Sequence, residues 1–256
     1  MRFVLPVLVL ALIAYTGLCL ALFLMQRSFI YFPTPAVPAI ASDPGRTVFL
    51  DVSGARLAIA VRQHAGPKAL LYFGGNAEDV TGSLAPLAGA FPQSAVYLMT
   101  YRGYGASSGT PSEQALQADA LALFDWVQRD HPEIEIIGRS LGTGVATYLA
   151  SRRPATRLVL ITPYDSVLEL ARQRFPYIPV RWLLLDRFES GRYAPHIRVP
   201  TLIVEAEFDE VIPHASTARL LQRFAAGVAT LVVIPGAGHN TLSEDPRYLG
   251  ILHGPP

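Results

Sequence analysis

The stretch "IEIIGRSLGTGVATYLA", residues 134–150, constrains the fold of this chain more than any other. An apolar run stops at Gly138, a serine follows two residues later, and helical periodicity starts at once. A strand that turns directly into a helix belongs to a parallel sheet covered by helices, because the chain must cross back before it can pair again. The remaining sequence agrees. "TVFLDV" and "RLAIAVR" read as a hairpin around Ser53-Gly54, and "KALLYF", "AVYLMTY", "IEIIG", "RLVLIT", "TLIVEAE" and "ATLVVIP" read as short apolar strands. Helical patterns fall between several of them, clearest at 111–130, 141–152 and 214–226. The predicted class is α/β, with a mostly parallel, doubly covered sheet.

A chain of 256 residues, 51% of them hydrophobic, suffices for one large domain. A net charge of +1 excludes an electrostatic footprint for nucleic acid. One cysteine, Cys19, excludes an internal disulfide framework and a cysteine-based metal cluster. No metal or nucleotide motif is present, so no cofactor and no metal ligand is expected. Much of the hydrophobicity lies at the front, where Phe3 to Met25 carries no charged residue. A helix of that length reaches about 35 Å, enough to cross a hydrocarbon core of about 30 Å. The apolar region of a cleaved signal peptide runs to about 7–15 residues and ends at a small-residue cleavage site. Here bulky "LALFLMQRSFIYF" stands where that site should be. The expected organisation is a single-pass transmembrane anchor at 1–25, a proline-rich linker at 26–46 and a catalytic domain at 47–256. Within the domain, 162–200 interleaves aromatics with arginines and reads as a small cap. The expected location is a bacterial inner membrane. Arg2 and the terminal amine balance Arg27, which leaves orientation open, as the oligomeric state is also left open.

Two G-x-S-x-G matches compete, "GRSLG" around Ser140 and "GASSG" around Ser107. A nucleophile on a sharp turn needs a strand entering and a helix leaving directly. After Ser107, "TPSE" places Thr110 as N-cap, Pro111 at the first helical position and Glu113 as capping partner, so Ser107 falls in a loop. Ser140 meets both requirements. A serine hydroxyl is a weak nucleophile until a base takes its proton, and that base needs an orienting carboxylate. In this architecture the order is serine, acid, histidine, each after a later strand. Asp209 follows "TLIVEAEF" and His239 follows "TLVVIPGAG" in those positions. Asp165 is the runner-up acid, Glu205 lies within a strand, Glu207 comes early in the loop, and His214 heads a helix. The backbone N–H of Leu141, next after the nucleophile, supplies one oxyanion donor. The glycine-rich turn in "LLYFGGNAED" offers the second, assigned to the N–H of Asn76.

With "QRSFIYFP", "GGNAED", "YRGYGASSGTPSE", "GRSLGTGVA", "DEVIP" and "GAGHN", the chain resembles the α/β-hydrolase superfamily through nearly its whole length. More narrowly it is similar to a membrane-anchored branch that includes lysophospholipid lipases and protein depalmitoylases. The resemblance implies an α/β-hydrolase fold, Ser140, Asp209 and His239 as triad, and Asn76 and Leu141 as oxyanion donors. Many members carry His-Gly before the oxyanion residue, where this chain has Gly74-Gly75. The expected activity is cleavage of carboxylic ester or thioester bonds through an acyl-enzyme, on small-molecule or lipid-like acylated substrates. The competing readings are a catalytically silent membrane-tethered scaffold and a peptidase of the same fold.

Overall fold

The structure, a computed structural model, describes residues 3–35 and 46–253. Arg2, the stretch 36–45 of the expected linker and the last three residues lie outside the described residues. After the N-terminal helix α1 (Val4–Met25) come β1 (Arg46–Val52), β2 (Ala55–Arg62), β3 (Lys68–Phe73), α2 (Leu84–Ala90), β4 (Ala95–Met99) and α3 (Glu113–Val127). They are followed by β5 (Glu133–Arg139), α4 (Leu141–Ala150), β6 (Arg157–Ile161), α5 (Val167–Arg174), α6 (Val180–Leu183) and α7 (Ser190–Tyr193). The chain ends with β7 (Thr201–Phe208), α8 (His214–Leu221), β8 (Ala229–Gly238) and α9 (Tyr248–His253).

The eight strands form one sheet in the order β1-β2-β4-β3-β5-β6-β7-β8. The β1–β2 hairpin turns at Ser53-Gly54 as expected, with Gly54 at φ +76°. Strand β2 is antiparallel to both neighbours, and β4, β3, β5, β6, β7 and β8 run parallel. Parallel strands are apolar on both faces because both faces are covered. In β3, Leu71 and Phe73 pack beneath α3 and α4 with Leu123, Phe124 and Val145. The alternate residues Leu70 and Tyr72 pack beneath α2 and α9 with Leu84, Leu87 and Leu252. The carboxyl edge of the sheet therefore presents the ends of β3, β5, β7 and β8 together, with β6 between β5 and β7.

Two boundaries differ from the sequence reading. Helix α3 begins at Glu113, and its cap is Ser112, whose side chain accepts from the Ala115 amide. Thr110 is not the N-cap, because Glu113 is committed elsewhere. Its carboxylate accepts from the Arg187 amide at 2.7 Å, and its own amide donates to Asp186 at 3.2 Å. The second difference concerns residues 26–35, which pack on the domain instead of hanging as a free connector. Ile30 and Tyr31 are buried in the core, and Pro35 bridges to Gly105. Asp186 of the 162–200 segment gathers these pieces, accepting from Arg27 at 3.0 Å and from the Tyr31 hydroxyl at 3.2 Å. By contrast no residue of α1 is buried; Cys19, Leu22 and Phe23 are half-buried and the rest of the helix is exposed.

One buried ion pair locks the hairpin turn to α3. Arg102 donates twice to Asp119 at 2.6 Å and once to the Ser53 carbonyl at 2.8 Å. Asp119→Ala leaves that guanidinium buried without its partner, so unfolding stability is expected to fall by about 3–5 kcal/mol. Chemical denaturation of the full-length protein in detergent micelles, followed by tryptophan fluorescence, measures the loss. A change within about 1 kcal/mol would mean the pair behaves as a solvated surface contact.

Candidate active site

Four strands end in the residues that matter here. Ser140 is the first residue after β5, Asp209 the first after β7, His239 the first after β8, and Gly74 the first after β3. Ser140 adopts φ 49° and ψ −117°, a conformation that costs a residue with a side chain about 1–3 kcal/mol. It turns the chain from strand to helix within one residue and lifts the hydroxyl off the sheet edge. The flanking glycines make room for that turn. A Cβ on Gly138 would sit 2.5 Å from the Gly142 carbonyl oxygen, and one on Gly142 would collide with the Phe73 carbonyl of β3.

The structure brings the three predicted side chains together. His239 Nε2 lies 3.0 Å from Ser140 Oγ. On the other side of the ring, Nδ1 donates to the Asp209 carboxylate at 2.9 and 3.0 Å. The Asp209 and His239 side chains are only 1% and 6% exposed, so water competes little for this relay. Asp209 is held in turn by the amides of Val211 at 2.9 Å and Ile212 at 2.7 Å. The competing groups lie elsewhere. Asp165 accepts nothing from His239; its amide donates to Ser216. Glu205 takes His214 Nδ1 at 2.6 Å, and Glu207 accepts from the Gly236 amide. Ser107 serves as a clasp, accepting from the Ala58 amide and donating to the Thr100 carbonyl, both at 2.8 Å.

The turn after β3 lies beside the serine: a Cβ on Gly75 would be 3.8 Å from that of Ser140. Sequence reasoning picked out this turn but missed what fixes it. Glu78, within the quoted "GGNAED", accepts from the Gly75 amide at 2.8 Å, the Tyr72 hydroxyl at 2.7 Å and Ser83 Oγ at 2.9 Å. Tyr101 donates to the Gly74 carbonyl, and Tyr104 and the Phe32 amide both donate to the Asn76 carbonyl. Burial pushes the Tyr104 phenol up to about 12, so it keeps the proton that it donates. The Gly75 N–H is occupied, whereas neither the Asn76 nor the Ala77 N–H has a protein acceptor among the described residues. The Leu141 N–H opens α4 and, like the other first-turn amides of a helix, has no partner within it. A second missed residue is Glu210, which accepts from the His239 amide at 3.0 Å. That amide holds the Glu210 carboxyl below its ordinary range. The sequence signal was its place directly after Asp209. Among the described residues no group of three or more His, Cys, Asp or Glu side chains is arranged to hold a metal ion.

This arrangement can move a proton from the Ser140 hydroxyl to the His239 imidazole. Comparison with known proteins supplies the context. The family described as serine aminopeptidase, S33, matches residues 189–246, a stretch that holds Asp209 and His239. Uncharacterized protein Rv2307c of Mycobacterium tuberculosis is 36% identical over 259 residues, covering 96% of this chain and 90% of the relative. Lysophosphatidylserine lipase ABHD12 of Danio rerio is 39% identical over 138 residues, covering 46% of this chain and 36% of the lipase. Among solved structures, the Pyrococcus furiosus esterase Pf2001 superposes with a TM-score of 0.71 at 16% identity, covering 87% of this chain and 97% of the esterase.

The close approach of α4 to β3 generates a structural test. Gly142→Ala forces a Cβ into the Phe73 carbonyl and is expected to cost about 1–3 kcal/mol or more. Gly89→Ala on α2, where a Cβ meets nothing within 4 Å, is expected to stabilise by up to about 1 kcal/mol. Thermal unfolding of the two variants side by side reads the contrast. Equal melting temperatures would mean the elbow is not tightly packed.

Proposed function

This chain belongs to the α/β-hydrolase superfamily, and from that premise we propose that it is a membrane-anchored serine hydrolase. On this reading it cleaves carboxylic ester or thioester bonds of lipid-like or acylated substrates through an acyl-enzyme. The observation that carries the reading is the unbroken relay from Ser140 Oγ to His239 at 3.0 Å and on to Asp209 at 2.9 Å. Ser140 Oγ attacks the carbonyl carbon while His239 Nε2 takes its proton, and Asp209 stabilises the imidazolium. The carbonyl oxygen becomes an oxyanion that accepts from the Leu141 and Asn76 amides. The intermediate collapses, His239 returns the proton to the departing alcohol or thiol, and the acyl group stays on Ser140. Water, deprotonated by the same imidazole, attacks the acyl carbon; the acid leaves and the serine regains its proton. Each step uses groups of this chain and water alone.

The anchor supports the choice of substrate class. Helix α1 is 22 residues long, or about 33 Å, with no charged residue, which matches a single membrane span. A site tethered there meets amphiphiles at high local concentration.

Ser140→Ala and His239→Ala are each expected to lower kcat about 10⁶-fold, because the two act as one unit. Asp209→Ala is expected to cost about 10⁴-fold. Ser107→Ala keeps most activity and loses about 1–3 kcal/mol of stability from the stranded Ala58 and Thr100 groups. Hydrolysis of p-nitrophenyl esters and labelling by a fluorophosphonate read all four. Labelling that survives in Ser140→Ala would remove the nucleophile assignment, and no labelling of the wild type would favour the silent scaffold. For the anchor, the full-length protein is expected to stay with membranes through a carbonate wash; recovery in the soluble fraction would end the membrane-spanning reading.

A further inference from the structure

A tether needs no specific bonds to the domain it holds, yet α1 is fastened to the 162–200 segment at several points. The Tyr15 hydroxyl donates to the Tyr177 carbonyl at 2.7 Å. Gln26, at the helix end and 7% exposed, donates to the Leu183 carbonyl at 3.2 Å and accepts from the Leu185 amide at 2.7 Å. Arg27 adds the ion pair to Asp186. Tyr15 precedes Met25 by ten residues of helix, about 15 Å along the axis at 1.5 Å per residue. The tip of the cap is therefore drawn down alongside the apolar helix. Around that tip Phe175, Tyr177 and Trp182 are exposed, the last two by 87% and 83%. Exposed aromatics of this kind suit a lipid–water boundary better than open water.

Between the fastening points the two elements do not close on each other. They enclose a groove of about 580 Å³, a size typical of sites for small organic ligands. Leu22 and Phe23 of α1 and the adjoining Ile30 form one wall; Leu170, Ile178 and Leu183 face them. Arg174 is the only charged residue lining it among the described residues. Val211 and Pro213, from the loop whose Val211 and Ile212 amides hold Asp209, also line it. We propose that this groove binds a single acyl chain of a membrane amphiphile, and that the anchor helix is itself one wall of the substrate site. The proposal rests on the ester-hydrolase reading for its purpose and on the groove alone for its ligand. The occupant follows from the wall: a groove built partly from a membrane-spanning helix opens where acyl chains are the solvent. Arg174, which lines the groove and is exposed to solvent, offers a cation to the charged end of such a molecule.

The test uses the full-length protein in phosphatidylcholine nanodiscs. Lysophosphatidylcholine carrying a diazirine in its acyl chain is photolysed, and the labelled peptides are identified by mass spectrometry. Label is expected within 22–30 and 167–184. Leu22→Trp, from the anchor side, and Leu170→Trp, from the cap side, each fill the groove while staying apolar. Both are expected to reduce that label, and to lower the ratio of kcat/KM for long-chain over acetyl p-nitrophenyl esters, at least tenfold in each case. Label confined to other segments would overturn the groove. An effect of Leu170→Trp without one from Leu22→Trp would reduce α1 to a tether and overturn the proposal. If the wild type turned over no ester and took no fluorophosphonate, the hydrolase reading would fall, and the photolabelling map would still decide the groove.

Discussion

The site depends on a contact made by atoms that are absent. Because Gly138 and Gly142 have no side chains, α4 seats its first turn against the end of β3, and a Cβ at either position would strike backbone. That approach brings the first turn of α4 beside the turn that follows β3. The backbone strain at Ser140, about 1–3 kcal/mol, persists only because its surroundings leave no alternative. Nine residues of α4 are buried, from Leu141 to Ala150, so relaxing the serine would mean unpacking the helix. The proposed mechanism needs rigidity of this kind, since its backbone donors must wait in position for a charge that has not yet formed.

Carboxylates do the remaining positioning, and they do it away from the reacting atoms. Glu78 ties three donors from β3, its following turn and the helix beyond into one knot under the Gly75 amide. Glu210 fixes the His239 backbone while Asp209 fixes its ring. Asp186 binds the segment after the anchor to the cap and to the start of α3. Glu78, Asp209 and Asp186 are buried or half-buried and each takes several donors at once, which is how a carboxylate can be kept away from water without a large penalty, whereas Glu210 is exposed and takes the His239 amide. The histidine is thus oriented from backbone and ring independently.

The N-terminal region is part of the same construction. Tyr31 lies in the core, and the Phe32 amide donates to the Asn76 carbonyl, so the chain leaving α1 is hydrogen-bonded to the turn after β3. The residues after α1, the 162–200 segment and the turn after β3 are joined by hydrogen bonds instead of being three modules in series.

The sequence by itself determined the elements. Eight apolar runs of strand length became eight strands; burial on both faces leaves the inner ones an unbroken apolar signature, while β1 and β8 at the sheet edges are partly exposed. It also singled out Ser140 over Ser107, since only one of the two serines stands between a strand and a helix with nothing intervening. Asp209 and His239 could be named because each closes an apolar strand, a local property. Tertiary structure decided which residues meet. Nothing local distinguishes Glu78 from any other acid in a loop, or marks Ser112 over Thr110 as the cap, because each choice was made by partners far away in the chain. The cap of α3 was fixed by Glu113 turning to the Arg187 amide, 74 residues on. The packing of residues 26–35 likewise escaped a proline-rich composition, which records backbone preference but not the core face that Ile30 and Tyr31 complete. Periodicity reports how a segment hides its own apolar side; it carries no record of which distant donor a carboxylate will find.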